Sequence, residues 1–162
     1  MDLTVTNLFC TWAAQRGMEG ITLDPEGMAA FEIDQGIVIN FQAHASSPML
    51  TLFAIVAALP TLAAEERCLM LEDMLAANLL WRATAGATLA LQHLPDVPGM
   101  QVVVARNMPI HGTSMVSELD RIFDNLCLVS LDWKTRIENR LALSERGQYR
   151  SATPEQLISM HP

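Results

Sequence analysis

The 162-residue sequence predicts a single α+β domain, in which helices pack on a curved antiparallel sheet in the order α-β-β-β-α-β-β-α. Three observations predict this class. Apolar residues recur at helical spacing in three segments, and they alternate or run continuously in five short ones. Single helices also separate the groups of strands, which favours an antiparallel or mixed sheet over alternating βαβ units.

The first predicted helix covers residues 2–16. Asp2 is expected to cap its start, Arg16 to complement the dipole at its end, and Gly17 to terminate it. Its apolar face follows the i, i+3, i+4, i+7 pattern of a helix and comprises Val5, Leu8, Phe9 and Trp12.

Three strand candidates follow this helix. Residues 28–34 and 37–42 alternate apolar and polar side chains, and Gln35-Gly36 between them is the short connection that a hairpin needs. Residues 49–57 form a continuous apolar run, typical of a central strand covered on both faces. A run this short is also compatible with a buried helix, so both readings stay open.

A second helix is predicted after Pro60, capped by Thr61 and with Glu65 and Glu66 in its early turns. Further apolar residues widen its surface beyond what one core face requires, so we expect it to be covered on two sides. The expected core stripe is Cys68, Leu71, Leu75, Asn78 and Leu79, and the additional apolar residues are Met70, Met74 and Ala77.

The last third of the chain predicts two strands and a long helix. The strands cover residues 87–92 and 100–106, and a loop over residues 107–113 is expected to end the sheet. From Ser114 an amphipathic helix continues to about Leu141. Residues 1–143 are therefore predicted to form one domain, and residues 144–162 a polar C-terminal tail.

The charge distribution constrains the partner. The net charge is −8, and residues 1–101 account for all of it, with 11 acidic and 3 basic side chains. This balance disfavours nucleic acid and favours a basic or polar polypeptide, although solubility alone explains it equally well. No secretory signal and no apolar stretch long enough for a membrane span is visible, so we expect a soluble intracellular protein. The three dispersed cysteines, Cys10, Cys68 and Cys127, indicate reduced thiols with structural roles.

No arrangement of residues predicts catalysis. The four histidines lie in or beside predicted loops without metal-ligand spacing, and the single lysine, Lys134, occurs in no phosphate-binding motif. We therefore expect no catalytic residue, no metal, no cofactor and no small-molecule substrate.

One segment carries a resemblance to a known family. Residues 78–91, with the sequence NLLWRATAGATLAL, combine a helix ending in Asn78 and large apolar residues, a short loop with Thr84 and Gly86, and a strand that opens with small residues. This pattern resembles the signature of class I type III secretion chaperones of the Tir chaperone (CesT-like) family. The order of elements over residues 2–142, the size and the acidity agree with it. The tail from Ser144, the turn at 95–98 and the loop at 108–115 depart from the family pattern.

The resemblance implies a homodimer in the bacterial cytoplasm that takes part in virulence. Each dimer would bind the N-terminal chaperone-binding region of one secreted effector in extended form, and keep it soluble and fit for secretion without ATP or metal. The expected dimer contact lies on the second helix and the strand after it, at Met70, Met74, Ala77, Leu89 and Leu91. The expected effector-binding residues lie on the first helix and first strands, at Leu8, Trp12, Phe31, Ile33, Ile37, Ile39 and Phe41; for each one, an ordinary core role is the alternative.

Two other functions remain open at this level. One is a dimeric regulatory module that sequesters a protein partner controlling secretion-gene expression. The other is a small enzyme whose site is assembled from residues without a recognisable motif. An effector gene next to this one would favour the chaperone.

Overall fold

The computed structural model describes residues 3–60, 62–93, 99–111 and 115–151, and the side chains of 4–143 within those ranges. The described part has the predicted order of three helices and five strands. Two short 3₁₀ turns, Asp34–Gly36 and Leu79–Trp81, complete it. The elements are α1 (Leu3–Gln15), β1 (Met28–Glu32), β2 (Val38–Ala43), β3 (Met49–Leu59), α2 (Ala64–Asn78), β4 (Thr88–His93), β5 (Met100–Pro109) and α3 (Val116–Ser151).

The five strands form one antiparallel sheet in the order β1-β2-β3-β5-β4. In its middle, Ala54 of β3 lies between Ile39 of β2 and Val104 of β5. A register shift between Ile55 and Ala57 bulges β3, which increases the local twist of the sheet. The predicted α+β class with an antiparallel sheet is confirmed.

All three helices pack on one face of the sheet. On α1, Phe9 and Trp12 lie against Phe41 of β2, while α3 crosses β3 and β5. Helix α2 lies beside β4, and the Asp73–Arg140 ion pair joins it to the C-terminal half of α3. Because strand side chains alternate, the opposite face carries another set, which includes the partly exposed Val38 and Ile55. Residues 49–57 thus form a strand, but the prediction that both its faces are covered is wrong within this chain.

The connection between β1 and β2 is as short as predicted. Gln35 has a φ of 60°, and the backbone N–H of Ile33 donates to the carbonyl of Ile37. The left-handed turn at Gln35 lets the chain reverse within the 3₁₀ turn. The end of α1 also agrees with prediction, since Gly17 has a φ of 76° and the N–H of Met18 donates to the carbonyl of Ala13.

Several predicted boundaries differ from the structure. Helix α2 begins at Ala64 with Ala63 at its N-cap, rather than after a Thr61 cap. Strand β5 continues through the predicted loop to Pro109, which pairs with Met49. Helix α3 runs to Ser151, past its predicted end at about Leu141. The predicted caps Asp2, Thr61 and Ser114, the turn at 95–98 and tail residues 152–162 lie outside the described residues.

Candidate functional site

The end of α2 is tied to β4 by one side-chain amide. The Asn78 Nδ2 donates to the carbonyl of Leu89 at 2.9 Å, and the N–H of Leu89 donates to Asn78 Oδ1 at 2.8 Å. The amide therefore pairs with β4 as a neighbouring strand would. Sequence reasoning placed Asn78 in the signature and in a core stripe, but missed this pairing, because it depends on where β4 lies.

The loop between Asn78 and β4 has an unusual backbone. Leu80, Trp81 and Ala85 have φ values of 56°, 50° and 48°, a region that costs non-glycine residues energy. Gly86 has a φ of 89°, and its carbonyl accepts a hydrogen bond from the Arg106 guanidinium, which occupies the space that a Cβ would need. The predicted freedom of Gly86 is confirmed, and the guanidinium adds a steric reason for it.

This loop and the outer side of α2 expose large apolar side chains. Leu79, Leu80 and Trp81 are 70%, 71% and 57% exposed, and Leu75 on α2 is 68% exposed. Cys68 and Leu69 are exposed beside them. Such a set of neighbouring apolar side chains is typical of a surface that another polypeptide covers.

The residues predicted for the dimer contact are not part of this exposed apolar surface. Met70, Met74, Ala77 and Leu89 are buried inside the chain, and Leu91 is partly buried. Helix α2 does have the predicted apolar residues on two sides. The side with Met70 and Met74 packs inward, however, and the side that was expected to face the core is exposed. The prediction that Cys68, Leu75 and Leu79 belong to the core stripe is wrong, whereas Leu71 and Asn78 are partly buried.

The predicted effector-binding residues divide into two groups. Trp12, Ile37, Ile39 and Phe41 have 2% exposure or less, and Leu8 has 9%, so in this structure their side chains form core. Phe31 and Ile33 pack on the same core but remain partly exposed. The structure therefore leaves these two, at the end of β1, as the accessible members of the set.

The buried members form an aromatic cluster under β1. Phe31 lies edge-on to Trp12 and Phe41, with ring centroids 5.9 and 5.5 Å away, and Phe123 of α3 closes the cluster. Edge-to-face contacts at these distances stabilise the packing beyond simple burial. Phe31 is thus held rigidly at the border between the core and the surface.

A polar network fixes α1 to α3 beside this cluster. The Arg16 guanidinium donates to Asp120 and Asp124 at 2.6 Å each, and Trp12 Nε1 donates to Asp120 Oδ1 at 3.1 Å. The hydrogen bond and the charge of Arg16 hold the pKa of Asp120 below its usual range. Arg16 also lies over the Phe123 ring, at 4.7 Å from its centroid. Sequence reasoning assigned Arg16 only to the helix dipole.

The free edge of β1 is available for pairing from Ala30 onward. The N–H and C=O of Met28 point away from β2 and bond to Asp24. The Met28 N–H donates to the Asp24 carboxylate, and the Met28 carbonyl accepts from the Asp24 N–H. Because strand hydrogen bonds alternate in direction, Ala30 and Glu32 point their N–H and C=O groups to the same side. β1 is an outer strand of the sheet, so within the described part of the chain these groups face no strand.

A cleft lies at the opposite end of the molecule, between α2 and the C-terminal half of α3. It has a volume of about 680 Å³, and its walls include Ala76, Ala83, Trp133, Arg136 and Leu143. The Asp73–Arg140 ion pair, at 2.5 Å, joins the two helices at its side. Its volume is within the range of roughly 300–1,000 Å³ typical of binding sites.

The described residues contain no group of three or more His, Cys, Asp or Glu side chains placed to hold a metal ion. Burial raises the pKa of the Cys127 thiol to about 11, with a smaller contribution from Asp124. Such a thiol is protonated at neutral pH and is a poor nucleophile. His44 Nε2 lies 2.7 Å from Thr51 Oγ1, which donates to Asn107, so the hydroxyl proton is directed away from the imidazole.

Among the described residues, no helix has the length and the apolar character that a membrane span requires.

Comparison with known proteins identifies the family. The model of the Tir chaperone protein (CesT) family matches residues 11–113, which include both edge strands and the Asn78 loop. The chain belongs to the Tir chaperone protein (CesT) family. The resemblance drawn from residues 78–91 is thereby confirmed. No curated protein sequence in the comparison matches this CesT-family chain.

Solved structures share the CesT-family fold at low sequence identity. The ExsC–ExsE complex matches with a TM-score of 0.62 and 20% identity, over 83% of this chain and 96% of that one. The HopA1–SchA chaperone–effector complex matches with a TM-score of 0.59 and 20% identity, over 80% and 91%. The Yersinia pestis type III secretion chaperone SycH, in complex with a fragment of YscM2, matches with a TM-score of 0.58 and 20% identity, over 79% and 98%.

Proposed function

We propose that this CesT-family chain is a bacterial cytoplasmic chaperone that catalyses no reaction. As a homodimer it binds the N-terminal chaperone-binding region of a type III secretion effector, here called the client, and keeps it soluble and competent for secretion. The family match and the chaperone–effector complexes among its structural neighbours support this role.

The observation that carries the proposal is the free edge of β1, with Phe31 and Ile33 beside it. An extended client that pairs with Ala30 and Glu32 adds a sixth strand to the sheet, a common mode of peptide recognition. Its side chains then alternate between the two faces. Those on the helix-covered face would contact Phe31 and Ile33, which the aromatic cluster already orders, so binding costs them little conformational entropy.

The charges around this edge favour a basic client. Glu32 and Asp34 are exposed next to Phe31 and Ile33, and the chain has a net charge of −8. Exposed charges of this kind mainly accelerate encounter, and salt screens them. We therefore expect client association to slow as the salt concentration rises.

The homodimer is proposed on the exposed apolar surface of α2 and its following loop. In the described part of the chain, this region carries five of the ten large hydrophobic residues that are most exposed: Leu69, Leu75, Leu79, Leu80 and Trp81. Their burial would remove an apolar surface that is unusual for a monomer. The edge of β1 lies at the other end of the sheet and stays free in such a dimer.

The proposal is tested with the N-terminal segment of a type III secretion effector that co-purifies with the wild-type chain from the native host. The segment is co-expressed with wild-type chain, Phe31→Asp, Ile33→Asp or Ala30→Pro. Proline at position 30 removes an N–H that points to the free edge, so it blocks client pairing but breaks no bond to β2. We expect all three variants to lose the client in pull-down, while their circular dichroism and sedimentation match wild type.

Leu128→Asp is the matched control, because Leu128 is a 66% exposed apolar residue on α3, away from β1. It should retain the client. Client binding that survives Ala30→Pro and both aspartate variants in folded protein would refute the β1 site. Wild-type chain that leaves the client aggregated on co-expression would refute the chaperone function.

A further inference from the structure

None of the described side chains fills the cleft between α2 and α3. Its floor is apolar, with Ala77, Trp133 and Ile137, and Arg136 lies over the Trp133 ring at 5.5 Å from the centroid. A surface of aliphatic carbon, an aromatic ring and a guanidinium suits a large flat aromatic side chain, which gains both apolar burial and cation–π attraction there. The residues that surround the cleft do not include Trp81.

Trp81 differs from the other tryptophans in being on the surface. Trp12 is fully buried and Trp133 is 4% exposed, whereas Trp81 is 57% exposed. Its backbone φ of 50° and that of Leu80, 56°, place both residues in the left-handed region, within a loop held by Asn78 and Arg106. Such strained conformations persist where the surrounding structure imposes them, and they concentrate at binding sites.

The loop and the cleft adjoin one another in the same chain. Ala83, two residues after Trp81, belongs to the wall of the cleft. A two-fold axis passing next to this point would bring the loop of one chain to the cleft of its partner, and the reverse, as an isologous dimer requires. Exposed Trp81 and the cleft, which adjoin in one chain, can therefore contact each other reciprocally between two chains.

We infer that Trp81 of each protomer inserts into the α2–α3 cleft of the other, next to Trp133 and Arg136. This inference rests on the proposed homodimer and specifies its central contact. The indole would act as the anchor of the interface, a role in which tryptophan is enriched. Leu75, Leu79 and Leu80 surround it and exclude water. Together with Leu69 they would supply roughly half of the ~800 Å² per partner that a standard interface buries.

The exchange is tested with two complementary variants. Trp81→Ala removes the inserting indole and leaves the cleft open. Ala76→Trp fills the cleft from an exposed position on its wall and leaves Trp81 in place. We expect each variant alone to be a folded protein whose dimer dissociation constant is raised about 100-fold, as for the loss of an interface anchor.

Mixing the two variants gives the decisive measurement. A mixed dimer contains one intact contact, since Trp81 of the Ala76→Trp chain meets the open cleft of the Trp81→Ala chain. Sedimentation velocity should therefore show more dimer in the mixture than in either variant alone. Controls are Leu128→Ala, which removes an exposed apolar side chain elsewhere, and Ala14→Trp, which adds an indole on exposed α1. Both should remain dimers.

Quenching of wild-type fluorescence by acrylamide is independent of any variant. Since Trp81 is the accessible tryptophan, its emission should be quenched strongly at concentrations where the protein is monomeric and weakly in the dimer. A dimer in which Trp81 is still strongly quenched, or variant mixtures that form no additional dimer, would refute the insertion of Trp81 into the partner's cleft. Either result would leave the proposed homodimer intact. A wild-type chain that is monomeric at micromolar concentrations would overturn both.

Discussion

Replacing Asn78 by alanine tests whether the amide pairing with Leu89 holds the Asn78 loop and β4 in place. The substitution removes two hydrogen bonds and leaves the N–H and C=O of Leu89, a residue only 4% exposed, without partners. Each unsatisfied buried group costs about 1–3 kcal/mol, so for two groups we expect a loss of about 2–6 kcal/mol in the free energy of unfolding. That is a large part of the roughly 5–15 kcal/mol by which such domains are stable.

Urea unfolding followed by circular dichroism measures this loss. A change of 3 kcal/mol corresponds to a decrease of about 10 °C in Tm for a chain of this size. Asn40→Ala is the control, since the Asn40 amide donates at 3.2 Å to the carbonyl of Val38 on the open side of the sheet. It should cost under about 1 kcal/mol. If Asn78→Ala costs no more than this control, the pairing does not hold β4 as argued.

Two further predictions concern titratable groups. Because the pKa of Asp120 is lowered by Arg16, its contribution to stability is complete above the unfolded pKa of about 4 and is lost as the pH falls through the lower, folded pKa. The Tm difference between wild type and Asp120→Asn should therefore narrow from pH 7 to pH 3, and a constant difference would contradict the ion-pair assignment. In thiol labelling with Ellman's reagent at pH 8, Cys127 should react much more slowly than exposed Cys68, because burial raises the pKa of the Cys127 thiol to about 11. Equal labelling rates in folded protein would show that Cys127 is accessible.

The sequence predicted the elements and their order because each element has a strong local pattern. α1 has one apolar face, the β1–β2 hairpin alternates, and Gly17 and Gly86 occupy left-handed positions that favour glycine. The family signature could also be recognised from the sequence, because it lies within one continuous segment, residues 78–91.

The faces of α2 could not be predicted in the same way. Apolar residues occur on both sides of this helix, so periodicity gives no preferred direction. The direction depends on the rest of the fold, since Met70 and Ala77 belong to the same core cluster as Trp133 and Ile137 of α3, which lie far away in sequence. For this reason Leu75 and Leu79, expected in the core, are exposed, whereas Met70 and Met74, expected at the dimer contact, are buried in the chain. The dimer contact itself stays a prediction.

The accessibility of the candidate client residues could not be predicted either, and their role in client binding stays a prediction. Strand alternation identified one side of β1 and β2 correctly, but it does not say whether helices cover that side. Trp12 and Phe41 meet in the core, and only Phe31 and Ile33, near the edge strand, keep accessible surface. The Arg16–Asp120 pair spans 104 positions and leaves no local pattern at all.

Helix α3 has a consequence for how this protein can vary. It contacts α1 through Asp120 near one end and α2 through Arg140 toward the other. The two residues are twenty positions apart, which corresponds to about 30 Å of rigid helix. A substitution near one end of α3 is therefore expected to alter packing only at that end, because the rigid helix preserves the geometry at the other end. Under the proposed function, substitutions beside β1 would change client binding without changing the proposed dimer contact on α2.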